Sequence, residues 1–204
     1  MELLTGEIEA SPIVGFCKSV ISRHTETWPP KEEALAEEFV EWLGLKTFLT
    51  RDKLIELCLS KRVNLSFVEL PPELRGFNCS YQDKTEVVIT QHETVLGADL
   101  HNISHEFREV LENGFVELGH STLGAGDSLE VRAEHFAMSA RMMVVAREIP
   151  AYLDTVSNAE STWVRYLGFG VLGFVGLVYL LSCVLLPHFE EIESQTNRQR
   201  YIRT

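Results

Sequence analysis

The chain has 204 residues, 45% of them hydrophobic, and a formal net charge of −12. That length and composition suit one ordinary domain with an appendage. The acidic balance argues against direct nucleic-acid binding, which needs clustered Lys and Arg. Cys17, Cys58, Cys79 and Cys183 are scattered, with no C-x-x-C pair, which suits reduced thiols of a cytosol-facing protein rather than a disulfide framework or a cysteine zinc site.

The opening stretch, MELLTGEIEASPIVGF, lacks a basic segment leading into a long apolar run, so no signal peptide is expected. Residues 1–30 form an N-terminal segment without an assigned role, in which SPIVGFCKSVIS suits a short helix packing on the domain that follows. Lys31 to Leu43 reads as a helix: Pro30 stands at its start, acids fill its first turn, and Gly44 follows its end. Leu35, Phe39, Val40 and Leu43 share one face, and the acidic residues read as the solvated face. Thr50 to Arg62 is a second helix with Thr50 as cap and Leu54, Leu57 and Cys58 inward. Val63 to Leu70 alternates as a strand does, and Pro71-Pro72 stops it. Arg75-Gly76 reads as a turn. Phe77 to Tyr81 and Glu86 to Thr90 then read as two short strands of a small antiparallel sheet, to whose edge a peptide could add.

The next helix carries the chemistry. Asp99 suits its cap, it runs to about Glu112, and Asn113-Gly114 is placed to end it. Leu100, Ile103, Phe107, Val110 and Leu111 make the buried stripe. Beside that stripe lies His105-Glu106-Phe107-Arg108-Glu109, the zinc-peptidase signature H-E-x-x-H with Glu109 in place of the second histidine. Residues four apart share a helix face, so His105 and Glu109 can converge on one ion, and carboxylate oxygen is an accepted zinc ligand. In that signature the glutamate after the first histidine, here Glu106, is the general base. An amphipathic helix with exposed charges can also spell these letters without any metal. His101, one turn before His105, is an alternative ligand along the same face. Arg108 is expected to face solvent or to pair with an acid.

Gly114 to Ser128 is Gly-rich and reads as a mobile connection, with His120 in it as an alternative replacement ligand or oxyanion stabiliser. Asp127 and Ser128 suit the cap of a long helix from Leu129 to about Glu148, which Pro150 is expected to end. Residues 151–165 read as a juxtamembrane linker and 188–204 as a polar tail. Between them, residues 166–187 contain no charge, and as a helix would span about 33 Å, the thickness of a bilayer core. A single-pass membrane protein with its N-terminal domain in the cytoplasm is expected.

In gluzincin-type peptidases the third ligand is a Glu on a following helix, supported from one turn later by another acid. Glu130 and Glu134, in EVRAEHFA, have that spacing. The order of LPPELRG, a strand ending near VVIT, HEFRE and EVRAEHFA resembles the ImmA/IrrE metallopeptidase family over about residues 33 to 145. The resemblance implies an α+β fold: a gluzincin-like domain over 31–150, with helices packed on a short antiparallel sheet, to which the uncharged run adds one C-terminal transmembrane helix. It implies His105 and Glu130 as metal ligands with Glu109 in the second histidine's place, Glu106 as general base, and Glu134 supporting a ligand. One zinc ion is the expected cofactor, with manganese an alternative because the added carboxylate suits a harder ion. The implied activity is endopeptidase cleavage of a regulatory protein such as a helix-turn-helix repressor. The alternative is a catalytically inactive binding or sensing module that kept the fold and lost turnover, and Glu109 is its main support.

Overall fold

The computed structural model describes residues 11–25, 31–81, 84–92 and 97–157, with Gly170 and Gly173. Among them are five helices and three strands in the order α1 (Pro12–Arg23), α2 (Glu32–Leu43), α3 (Arg51–Ser60), β1 (Val63–Val68), β2 (Gly76–Tyr81), β3 (Lys84–Thr90), α4 (Ala98–Glu117) and α5 (Leu129–Ser157). The fold is mixed α+β. The chain divides into two compact units, residues 1–148 and 149–204. Everything below concerns the first, except where the end of α5 is named.

The sheet differs from the expected antiparallel one. Its order is β1-β3-β2, with β1 and β3 parallel and β2 antiparallel to β3. Residues 69–75, with Pro71-Pro72 among them, connect β1 to β2 without a tight hairpin, and β3 lies between the two. Gly76 is accordingly the first residue of β2, paired with Ile89, and not part of a turn.

The core is built on α4, which packs on β2 and β3 and on α1. All five residues of its expected stripe are buried. Phe107 of α4 meets Phe39 of α2 at a ring-centroid distance of 5.1 Å, and Phe39 meets Phe136 of α5 at 5.2 Å. Each such ring contributes about 1.5–3 kcal/mol through burial, and each tilted pair about 0.5–1.5 kcal/mol more.

Four local expectations are corrected. First, α4 does not stop before Asn113-Gly114 but continues to Glu117. Gly114 is buried, and a Cβ there would stand 2.9 Å from Cys17 Sγ and 3.0 Å from Ile13 Cγ2, so the glycine lets α1 approach α4 closely. Second, Gly97 occupies the N-cap of α4 without a side-chain cap, and Asp99 binds the Arg51 guanidinium at 2.8 and 3.0 Å instead. Thr50 likewise makes no cap hydrogen bond to α3. Third, α5 runs through Pro150 to Ser157. The proline forfeits one helical hydrogen bond, and it stands at an exposed position. Fourth, Glu32 is buried rather than solvated, and Arg108 takes the acid-pairing alternative expected for it.

The expected membrane span at 166–187 lies outside the described residues apart from Gly170 and Gly173. Among the described residues no helix is long and apolar enough to cross a membrane.

Candidate metal centre

Helical periodicity puts His105 and Glu109 one turn apart on α4, and Glu130 and Glu134 one turn apart on α5. The packing of α5 beside α4 brings the two pairs together. One donor atom each from His105, Glu109 and Glu130 lies within 4.8 Å of the other two, a set able to hold a metal ion. The Nε2 of His105 is 3.4 Å from Glu130 Oε1. Its other ring nitrogen, Nδ1, is 3.5 Å from Glu134 Oε2. Glu134 therefore stands at the ring nitrogen of His105 turned away from Glu130.

These residues line a cleft of about 500 Å³ between β2, α4 and α5. His101 also borders it, but its Nε2 is 3.2 Å from the Glu134 carboxylate and it stands outside the triad. Glu134 thus receives two imidazoles, whose hydrogen bonds hold its carboxyl far below the ordinary carboxylate range. His120 is exposed in the connection after α4 and does not line the cleft.

Glu106 lies beside the triad and is only 8% exposed. Burial pushes its proton affinity up and the neighbouring Glu109 and Glu130 charges add to this, while a hydrogen bond from Asn78 and the nearby His105 oppose it. His105 is shifted upward as well, first by its hydrogen bond to Glu134 and then by the charges of Glu130 and Glu106, against its own burial. A site that favours a proton on His105 is one where several carboxylates face one another and a cation relieves their repulsion.

Asn78 was not anticipated from sequence. It sits on β2, and its Nδ2 donates to Glu106 Oε2 at 2.9 Å and to Glu109 Oε2 at 2.7 Å. Gly76, two residues earlier and hence on the same sheet face, makes room for the same glutamate: a Cβ there would be 2.9 Å from Glu106 Oε1. The readable signal was the small and polar pair Gly76 and Asn78 at alternate positions of a strand, which marks a face turned to something other than apolar core.

Further along α4, about one to two turns beyond His105, lies a different cluster. Arg108 is fully buried and donates from Nε to Glu32 Oε2 at 2.7 Å and from Nη1 to Glu112 Oε2 at 3.0 Å, with Thr122 Oγ1 as a further partner. Burial opposes ionisation of Glu112, but hydrogen bonds from Ser121, Thr122 and Arg108 outweigh it and keep its carboxyl below the ordinary value. Through these bonds the Gly-rich connection is tied to α4 at Ser121 and Thr122, whereas a freely mobile stretch was expected. No family model, curated protein or solved structure matches the chain, and the resemblance to the ImmA/IrrE family rests on the motifs quoted above.

Proposed function

We propose that the protein is a membrane-tethered, zinc-dependent endopeptidase of ImmA/IrrE type, acting on a regulatory protein such as a helix-turn-helix repressor. The convergence of His105, Glu109 and Glu130 with Glu106 beside them carries this reading. One imidazole nitrogen and two carboxylate oxygens are an accepted donor set for catalytic zinc. Ligands about 2.0–2.2 Å from a tetrahedral ion stand roughly 3.4 Å apart, and His105 Nε2 and Glu130 Oε1 already have that spacing at 3.4 Å. Manganese is the alternative ion because two of three donors are hard oxygens.

A bound ion would supply Lewis acidity toward the scissile carbonyl and toward water. The remaining work falls to the chain. Glu106, with its raised proton affinity, takes the proton of the attacking water and hands it to the leaving amine. Asn78 fixes one oxygen of Glu106, and Gly76 leaves space against the other. Glu134 holds His105 in its ligating orientation. A peptide rather than a small substrate is favoured because β2, which borders the cleft, is an edge strand with Leu74 and Phe77 exposed at the rim. The membrane tether rests on the uncharged segment 166–187.

The test is elemental analysis of the full chain purified without chelator, beside Glu109→Ala and Glu130→Ala. About one equivalent of zinc or manganese is expected to survive purification in the wild type and to be lost from both variants, whose weaker binding shows only on reloading. The loaded protein is then offered a peptide library read by mass spectrometry. Cleavage by the wild type and none by Glu106→Gln is the expected pair, and cleavage undiminished by Glu106→Gln sinks the mechanism. A second reading, a non-catalytic binding or sensing module, is favoured by one observation: Glu109 brings a second anionic donor where a neutral imidazole would leave the ion a stronger Lewis acid. A wild type that stays metal-free after reloading decides for it.

A further inference from the structure

Glu130 is an unusual member of the triad. Its side chain is 74% exposed, against 16% for His105, so little packing fixes where its carboxylate stands. Its position depends on the first turn of α5. We infer that Arg132 is a positioning residue that fixes Glu130 relative to the α4 donors. This rests on the metal-site reading above.

Arg132 is two residues beyond Glu130 and spans two anchors. Its Nη2 donates to Asp127 Oδ2 at 2.5 Å, just before α5 begins, and its Nη1 donates to Glu32 Oε1 at 3.1 Å. Asp127 is itself held, accepting from the Gly124 amide at 2.8 Å. Glu32 is the decisive partner. The same Oε1 also accepts from Arg108 Nη2 at 3.2 Å, while Glu32 Oε2 accepts from Arg108 Nε at 2.7 Å. Arg108 adjoins Glu109 in sequence and is fully buried on α4. One buried carboxylate on α2 is therefore clamped by a guanidinium from each of the two helices that carry the donors. The planar fork of arginine suits this, since it presents donors in fixed directions to two acceptors at once. With that clamp the α5 turn bearing Glu130 keeps its register against α4. Without it, the first turn of α5 is left to the core packing that begins at Ala133 and to the 3.4 Å approach of Glu130 to His105.

The experiment measures zinc affinity of the full chain by competition with a chromogenic chelator, for wild type, Arg132→Met, Glu130→Ala and the double variant. Arg132→Met is expected to lower affinity about 10-fold, as loss of an outer-sphere support does. In the Glu130→Ala background the same change is expected to lower it by less than about 2-fold, because it acts only through Glu130. Arg132→Lys, which keeps the charge but not the fork, should fall between. Asp127→Asn reports the same effect if Arg132→Met fails to fold. An equal loss with and without Glu130 means a general structural effect and overturns the inference, as does no loss at all. A wild type that takes up no zinc overturns the metal reading first and this inference with it, an outcome distinct from zinc binding that ignores Arg132.

Discussion

Two charged clusters sit next to each other along α4, and they are built in opposite ways. In the buried one Arg108 faces Glu32 and Glu112, with Arg132 and Asp127 closing the set, and the hydroxyls of Ser121 and Thr122 and the Thr122 amide complete the bonds of Glu112. Each charge there has an opposite partner, as buried ions require. On the cleft side Glu106, Glu109, Glu130 and Glu134 gather around His105 and His101 with no arginine or lysine paired to any of them among the described contacts. The balanced cluster serves the fold. The unbalanced one gathers like charges that a proton or another cation would relieve.

The largest effect is expected where the balance is broken. Arg108→Met leaves Glu32 and Glu112 buried without their partner, and should cost about 3–5 kcal/mol in denaturant unfolding. A loss below about 1 kcal/mol would place the cluster with ordinary surface pairs. On the unbalanced side the opposite result is expected from Glu109→Ala. It should cut metal affinity by more than the about 10- to 100-fold typical of an outer support, yet leave the thermal midpoint of the metal-free protein unlowered, because a like charge has been removed. A metal-free midpoint that drops sharply would mean Glu109 is structural.

Gly76→Ala sharpens the comparison by touching only one cluster. Its Cβ would press on Glu106 Oε1 and Ile89 Cδ1, both 2.9 Å away. Overpacking of this kind costs about 1–3 kcal/mol. Turnover should fall while metal content holds, as read by single-turnover peptide cleavage beside elemental analysis. The smallest effect is in pH. The folded-state proton affinity of Glu112 lies below its ordinary value of 4.5, so its contribution to stability is complete above that pH and disappears as pH falls through the lower folded value. Denaturation profiles of wild type and Glu112→Gln should therefore converge on acidification below 4.5, and parallel profiles would show that the carboxylate is not held as described.

Much of the secondary structure was legible because it is written in short-range periodicity. The stripe of Leu35, Phe39, Val40 and Leu43 and the stripe of Leu100 to Leu111 are both buried. Where reading failed, a local signal met a tertiary one that overrode it. Asn113-Gly114 looks like a helix end, but Gly114 is there for contact with α1. Pro150 looks like a stop, but lies inside α5. Glu32 looks like one more solvated acid of a helix N-terminus, yet Arg108 draws it into the interior.

By itself the sequence determined that His105 shares a helix face with Glu109, and Glu130 with Glu134, because four residues make about one turn. It could not say that the two faces meet. Only the tertiary structure decided that α5 lies against the donor face of α4, that Asn78 reaches Glu106 across 28 positions of chain, and that Arg108 finds Glu32 across 76. The physical reason is that periodicity encodes which side of an element is turned inward, whereas the partner on that side is set by how the chain crosses between elements. The place of β2 at the edge of the sheet beside β3 brings Asn78 to the cleft.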